Sequence, residues 1–83
     1  MTYKATVNVT LKKSVLDPQG KTVMHALETM GFNQTRDVRV GKYFELMLDA
    51  AGEKEAGDNV RSMCDRLLIN PVIEDYTYKL EKI

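Results

Sequence analysis

The 83-residue chain contains one cysteine, no tryptophan, two prolines and one histidine. A single cysteine excludes an internal disulfide, so stability has to come from packing or from association. There is no excess charge of either sign: twelve basic residues face twelve acidic ones. Such a balance offers no attraction to a phosphate backbone or an anionic membrane, so neither nucleic acid nor membrane is expected as a partner. No run approaches the ~18 consecutive apolar residues of a spanning helix. The opening MTYKATVNVTLKK has no apolar stretch of signal-peptide type, which leads to the expectation of a cytoplasmic protein. Internal repeats, low-complexity tracts and linkers are also missing, so residues 1–83 are expected to form one domain. A domain of this size buries only about 60% of the surface its unfolded chain exposes, which leaves room for one sheet with a helix or two.

What is present is strong hydrophobic patterning. Residues 3–12 alternate, with Tyr3, Ala5, Val7, Val9 and Leu11 on one face and Lys4, Thr6, Asn8, Thr10 and Lys12 on the other. That is the pattern of an antiparallel strand with one wet face. Asp17 suits a helix N-cap and Pro18 the first helical position. Val23, Ala26, Leu27 and Met30 follow at helical spacing, and Gly31 reads as the C-terminal cap, giving a helix over about 18–30 with His25 on its far side. Val38 and Val40 alternate with Asp37 and Arg39, and Phe44, Leu46 and Leu48 alternate with Tyr43, Glu45 and Met47. These two strands are separated by Gly41-Lys42, a suitable turn or bulge. Residues 52–68 carry the stripe Ala56, Val60, Met63, Cys64 and Leu67 of a second helix, interrupted by Gly57 and stopped at Asn70-Pro71. A last strand spans 72–80, with Val72, Tyr76, Tyr78 and Leu80 on one face and Glu74 breaking the alternation. Strand, helix, strand, strand, helix, strand is the order of an α+β ferredoxin-like βαββαβ sandwich, a four-stranded antiparallel sheet with both helices on one face.

Residues with chemical potential are few. His25 is a lone histidine where zinc needs three or four ligands, so it reads as a surface residue. Cys64 lies in an apolar stripe, with no histidine beside it to act as base, and reads as core. Asp17-Pro18-Gln19-Gly20-Lys21 starts a helix without the spacing of a phosphate loop. Arg39-Val40-Gly41-Lys42-Tyr43 raises the possibility of RNA stacking, but the RNP1-type string is missing and the first strand shows threonine and asparagine where stacking aromatics belong. Glu74 and Asp75 are adjacent on a strand and point to opposite faces, so they share no site and read as edge charges. Nothing assembles a nucleophile, a base and an oxyanion site, so no catalytic, cofactor-binding or metal residue is expected in this chain.

Several strings in their order and spacing resemble a known family. They are Val15-Leu16-Asp17-Pro18-Gln19-Gly20, Met30-Gly31, Val38-Arg39-Val40-Gly41-Lys42 and Asn70-Pro71-Val72-Ile73-Glu74-Asp75-Tyr76. Over essentially its whole length the chain resembles PurS, the small subunit of phosphoribosylformylglycinamidine (FGAM) synthase; only Ile69 stands where a smaller residue is expected. The resemblance implies a non-catalytic subunit of a ligase complex in purine biosynthesis. It also implies a homodimer or higher oligomer bridging a large synthetase subunit, which holds ATP and Mg, and a glutaminase subunit. Assistance to ammonia transfer between those two is implied as well. The expected partner contacts are Arg39, Lys42, Tyr43, Asn70 and Glu74, and the expected dimer edge is a hairpin at 36–43. The alternatives are a dimeric small-molecule-sensing domain of the ACT type, which also associates through its sheet, and an acylphosphatase. The latter needs an arginine in the loop after the first strand, and residues 12–20 contain none.

Overall fold

In the computed structural model, which describes residues 1–83, five main elements follow one another. They are β1 (Thr2–Leu11), α1 (Pro18–Thr29), β2 (Gly41–Asp49), α2 (Glu53–Met63) and β3 (Glu74–Lys82). A single π-helical turn, Cys64–Leu68, prolongs α2. The sheet is antiparallel in the order β2-β1-β3, so the alternating first strand is central. Its Val7 lies between Phe44 and Tyr78, and its Ala5 between Leu46 and Leu80. The inward row Tyr3, Ala5, Val7 and Val9 is buried, and it is covered by Ala56 and Val60 of α2 and Cys64 of the π turn. Full burial of a valine such as Val7, Val9 or Val60 contributes about 1.5–3 kcal/mol, so this small cluster holds much of the stability.

The sheet has three strands where four were expected. Residues 36–40 join no ladder and form no hairpin with β2; they run into it without a reversal. Gly41 explains why. Its φ is not positive, and it is used for close approach rather than for a turn: a Cβ there would collide with the Val9 carbonyl oxygen. The Val40 N–H is satisfied by the Asp17 carboxylate, outside any strand.

The second departure is the position of α1. Its caps form as expected, with Asp17 at the N-cap, Pro18 in the first turn and Gly31 at φ 97° after the C-cap Met30. The Gly31 and Phe32 N–H groups close the last turn on the Glu28 and Leu27 carbonyls. Yet the helix does not lie on the sheet; of its residues only Gly20 is buried, and only α2 packs on the strands. The radius of gyration is 16.4 Å and the longest dimension 51 Å, where a compact chain of this length has about 12 Å for the former. The helix is thus carried on a projecting arm.

Two smaller differences follow from local geometry. In the π turn the Ile69 N–H reaches back five residues to the Cys64 carbonyl, which brings Ile69 into the core and leaves Leu67 82% exposed and Met63 outside. Residues 71–73 form a turn, so β3 begins at Glu74 and Val72 is exposed. Gly57 is buried because a Cβ there would lie 3.3 Å from the Tyr78 hydroxyl, so helix and strand approach closely.

Gly41→Ala is expected to force β1 and β2 apart and to cost about 2 kcal/mol or more, read as a lower urea midpoint at unchanged m-value. Gly31→Ala strains only the helix end and is expected to cost about 1 kcal/mol, because nothing lies near enough to clash.

Candidate assembly surfaces

The arm is built by two irregular segments, 12–17 and 36–40, that leave the same end of the sheet and lie side by side. Asp17 is the buried clamp between them. One carboxylate oxygen accepts the Gly20 N–H at 2.9 Å, and the other accepts the Val40 N–H at 2.8 Å. The Val40 bond foremost, and then the Gly20 bond, hold the Asp17 carboxyl below its ordinary value; the Arg39 charge adds to this and desolvation opposes it. Arg39 ties the same segments from the other side, donating from Nη2 to the Lys12 and Val15 carbonyls at 2.8 and 2.9 Å. Gly20 sits so close to the Val38 carbonyl that a side chain would collide with it. The arm is therefore held by charge-assisted bonds to backbone rather than by a ladder.

At the adjoining end of the sheet lies a second polar cluster. Glu74 takes the Leu11 register on the inner face, which accounts for its break in the alternation. Its carboxylate accepts the Asn70 N–H at 2.7 Å and lies 3.4 Å from Lys42 Nζ. Asn70 Oδ1 in turn accepts the Val72 N–H at 3.1 Å. On the outer face Asp75 pairs with Lys12 Nζ at 2.7 Å, so the two adjacent carboxylates do serve opposite faces.

Of the five expected contact residues, Lys42, Asn70 and Glu74 thus meet in one cluster, and Arg39 belongs to the arm. Tyr43 stands apart on the outer face opposite Asn8, 58% exposed, donating to Glu45 Oε1 at 3.1 Å. The second function of Asp17 and the whole function of Arg39 were not readable from local pattern. Their partners lie more than twenty residues away, and only the capping half of Asp17 left a signature.

Cys64 is fully buried, and burial followed by the neighbouring Asp65 charge pushes its thiol up. His25 is exposed on the arm helix, and no three histidine, cysteine or acidic side chains are gathered for a metal ion. Exposed large apolar side chains on or beside the arm helix are Leu16, Val23, Met30 and Phe32, while Leu67 and Val72 are exposed at the end of the π turn and in the turn before β3.

An α+β module whose polar groups serve its own backbone, and which displays apolar surface on a projecting arm, belongs to the class of assembly subunits. Residues 4–82 match the PurS family, described as phosphoribosylformylglycinamidine (FGAM) synthase. The chain is 49% identical over 81 residues to the Bacillus subtilis phosphoribosylformylglycinamidine synthase subunit PurS, covering 98% of this chain and 95% of the relative. A crystal structure of Bacillus subtilis PurS superposes with a TM-score of 0.89 at 50% identity, over 96% of this chain and 99% of that one. Methanocaldococcus jannaschii PurS, one of the subunits of formylglycinamide ribonucleotide amidotransferase in the purine biosynthetic pathway, gives 0.86 at 44% identity over 98% of each chain. A chain of the Thermotoga maritima PurLQS structure gives 0.89 at 28% identity, over 98% and 99%. This chain belongs to the PurS family.

The Asp17 clamp makes the arm sensitive to acid. Because the folded carboxyl titrates below its ordinary value of 3.8, its contribution is complete above that value and is lost as pH falls through the lower folded one. Asn at this position keeps one acceptor and loses the other, so Asp17→Asn is expected to speed amide exchange at Val40 or Gly20 while leaving Val7 protected, measured by NMR. Cys64 is expected to resist alkylation at pH 8 until the protein unfolds. Cys64→Ser is expected to cost about 1–3 kcal/mol through an unpaired buried hydroxyl.

Proposed function

We propose that this chain is the non-catalytic small subunit of FGAM synthase. In this reading it acts as a homodimer that bridges a synthetase subunit and a glutaminase subunit and assists transfer of ammonia between them. The complex would convert formylglycinamide ribonucleotide, glutamine, ATP and water to formylglycinamidine ribonucleotide, glutamate, ADP and phosphate. ATP and Mg would be held by the synthetase, and glutamine would be cleaved by the cysteine of the glutaminase. The observation that carries the reading is the full-length similarity to PurS relatives and to a chain of a PurLQS structure. It is supported by a fold that presents apolar side chains on a projecting arm. That same full-length similarity displaces the ACT-type sensor.

Among the expected contact residues, Tyr43 is the one most free to meet another subunit, since its hydroxyl is held only by Glu45. Lys42 is half-committed to Glu74, and Arg39 is committed to the arm.

Reconstitution with a synthetase and a glutaminase subunit tests the reading. Glutamine-dependent turnover is expected to require this chain, while ammonia-dependent turnover by the synthetase is not. Tyr43→Ala is expected to lower the glutamine-dependent rate on the order of tenfold and to leave the ammonia-dependent rate unchanged, in line with tyrosines that anchor interfaces. Glutamine-dependent turnover of equal rate without the chain would remove the proposal.

A further inference from the structure

Four cations line one open cavity of about 380 Å³ on the arm. Lys13 comes from the first irregular segment, Lys21 from the first turn of α1, and Arg36 and Arg39 from the second segment. Two carboxylates, Asp17 and Asp37, line it with them. Positive charge is therefore in surplus by two at this place, on a chain whose overall charge is zero.

The surplus is not answered within the chain. The ion pairs join Lys4 to Glu45, Lys12 to Asp75, Lys42 to Glu74 and Arg61 to Asp58, and none includes a cation of the cavity. Arg39 spends its Nη2 on two neutral carbonyls, and Asp17 spends both oxygens on backbone N–H groups. Like charges around one concave space repel, and an anion entering it relieves that repulsion. The frame is rigid. The Asp17 and Arg39 bonds hold the two segments together, and Gly20 packs against the Val38 carbonyl. The donors left for a ligand are side chains, because the Gly20 and Lys21 N–H groups at the helix start are taken by the Asp17 carboxylate and carbonyl.

We propose that this cavity binds a phosphate-bearing small molecule. A phosphate monoester brings about two negative charges, which matches the surplus, where a single carboxylate answers half of it. Guanidinium groups grip phosphate oxygens in pairs, and ammonium groups serve as point charges beside them. The cavity is at the lower end of the ~300–1,000 Å³ range of small-molecule sites, so the ligand is compact. The site goes beyond the assembly role above and does not depend on it.

Amide NMR titration of the full chain with sodium pyrophosphate and, separately, with metal-free ADP tests the proposal, with adenosine as the uncharged control. Saturable shifts centred on Lys21, Val38 and Arg39 are expected with both anions at millimolar concentration or below, and none with adenosine. Tighter binding of ADP would assign the site to an organic phosphate, and equal or tighter binding of pyrophosphate to the phosphate group itself; either supports the proposal. Lys21→Gln/Arg36→Gln is expected to raise the dissociation constant on the order of tenfold, since two charge-assisted contacts are lost. Lys54→Gln/Lys79→Gln removes the same charge away from the cavity and is expected to leave the constant unchanged. All four side chains are exposed, so circular dichroism and β1 amide protection are expected to stay as in wild type. Absence of saturable shifts, or equal weakening by the Lys54/Lys79 pair, would overturn the site. Tighter binding of an oligoglutamate peptide than of pyrophosphate would overturn it too, by making the cavity a contact for a partner's carboxylates.

Discussion

The structure depends on one carboxylate. Asp17 accepts an N–H from the start of α1 and another from the residue before β2, two segments separated by more than twenty positions. A short, buried acid with two acceptor oxygens can hold both at once, and an ionised acceptor makes each bond stronger than a neutral one would. Asp17 thereby converts two irregular stretches into a rigid connection. Arg39 completes it by closing the Lys12 and Val15 carbonyls, which have no strand to pair with. Without this connection the backbone groups of 12–17 and 36–40 would have to be solvated or re-paired.

Everything distinctive about the shape follows. An arm held in line with the sheet gives a molecule 51 Å long and 14 Å thick, and it keeps α1 off the face that a compact fold would have it cover. The core is then limited to what α2, the π turn and the inward row of β1 bury, with Ile69 drawn in by the five-residue hydrogen bond of that turn. A core so small, on a chain with one cysteine and no metal cluster, leaves association as the natural further source of stability. Asp17, Arg39 and Glu74 close the chain's own loops, and Leu16, Met30, Phe32 and Tyr43 are among its exposed apolar or aromatic side chains.

Much of this was open to local reading. The strict alternation of residues 3–12 marked β1 and its buried face, and Asp17, Pro18 and Gly31 marked both ends of α1. The stripe through Ala56, Val60 and Cys64 marked the face of α2 that is buried. The place of Cys64 in the core and of His25 on the surface was also visible. Lys42, Asn70 and Glu74, expected as partner contacts, also serve one another, and that internal duty was not readable. Lys42 is drawn to Glu74 by a sheet register that no short window contains, whereas Asn70 meets Glu74 across a local turn.

The sequence by itself therefore determined three of the strands, both helices, the caps of α1, the inward face of β1 and the family, because periodicity, capping chemistry and ordered strings act over a few residues. Only the tertiary structure decided that residues 36–40 would leave the sheet, that Gly41 would serve contact rather than turning, and that α1 would stand away from the core. The alternation of Val38 and Val40 is equally compatible with a strand and with an extended arm. What separates the two is which partner takes the Val40 N–H, and that partner, Asp17, is brought there by the fold.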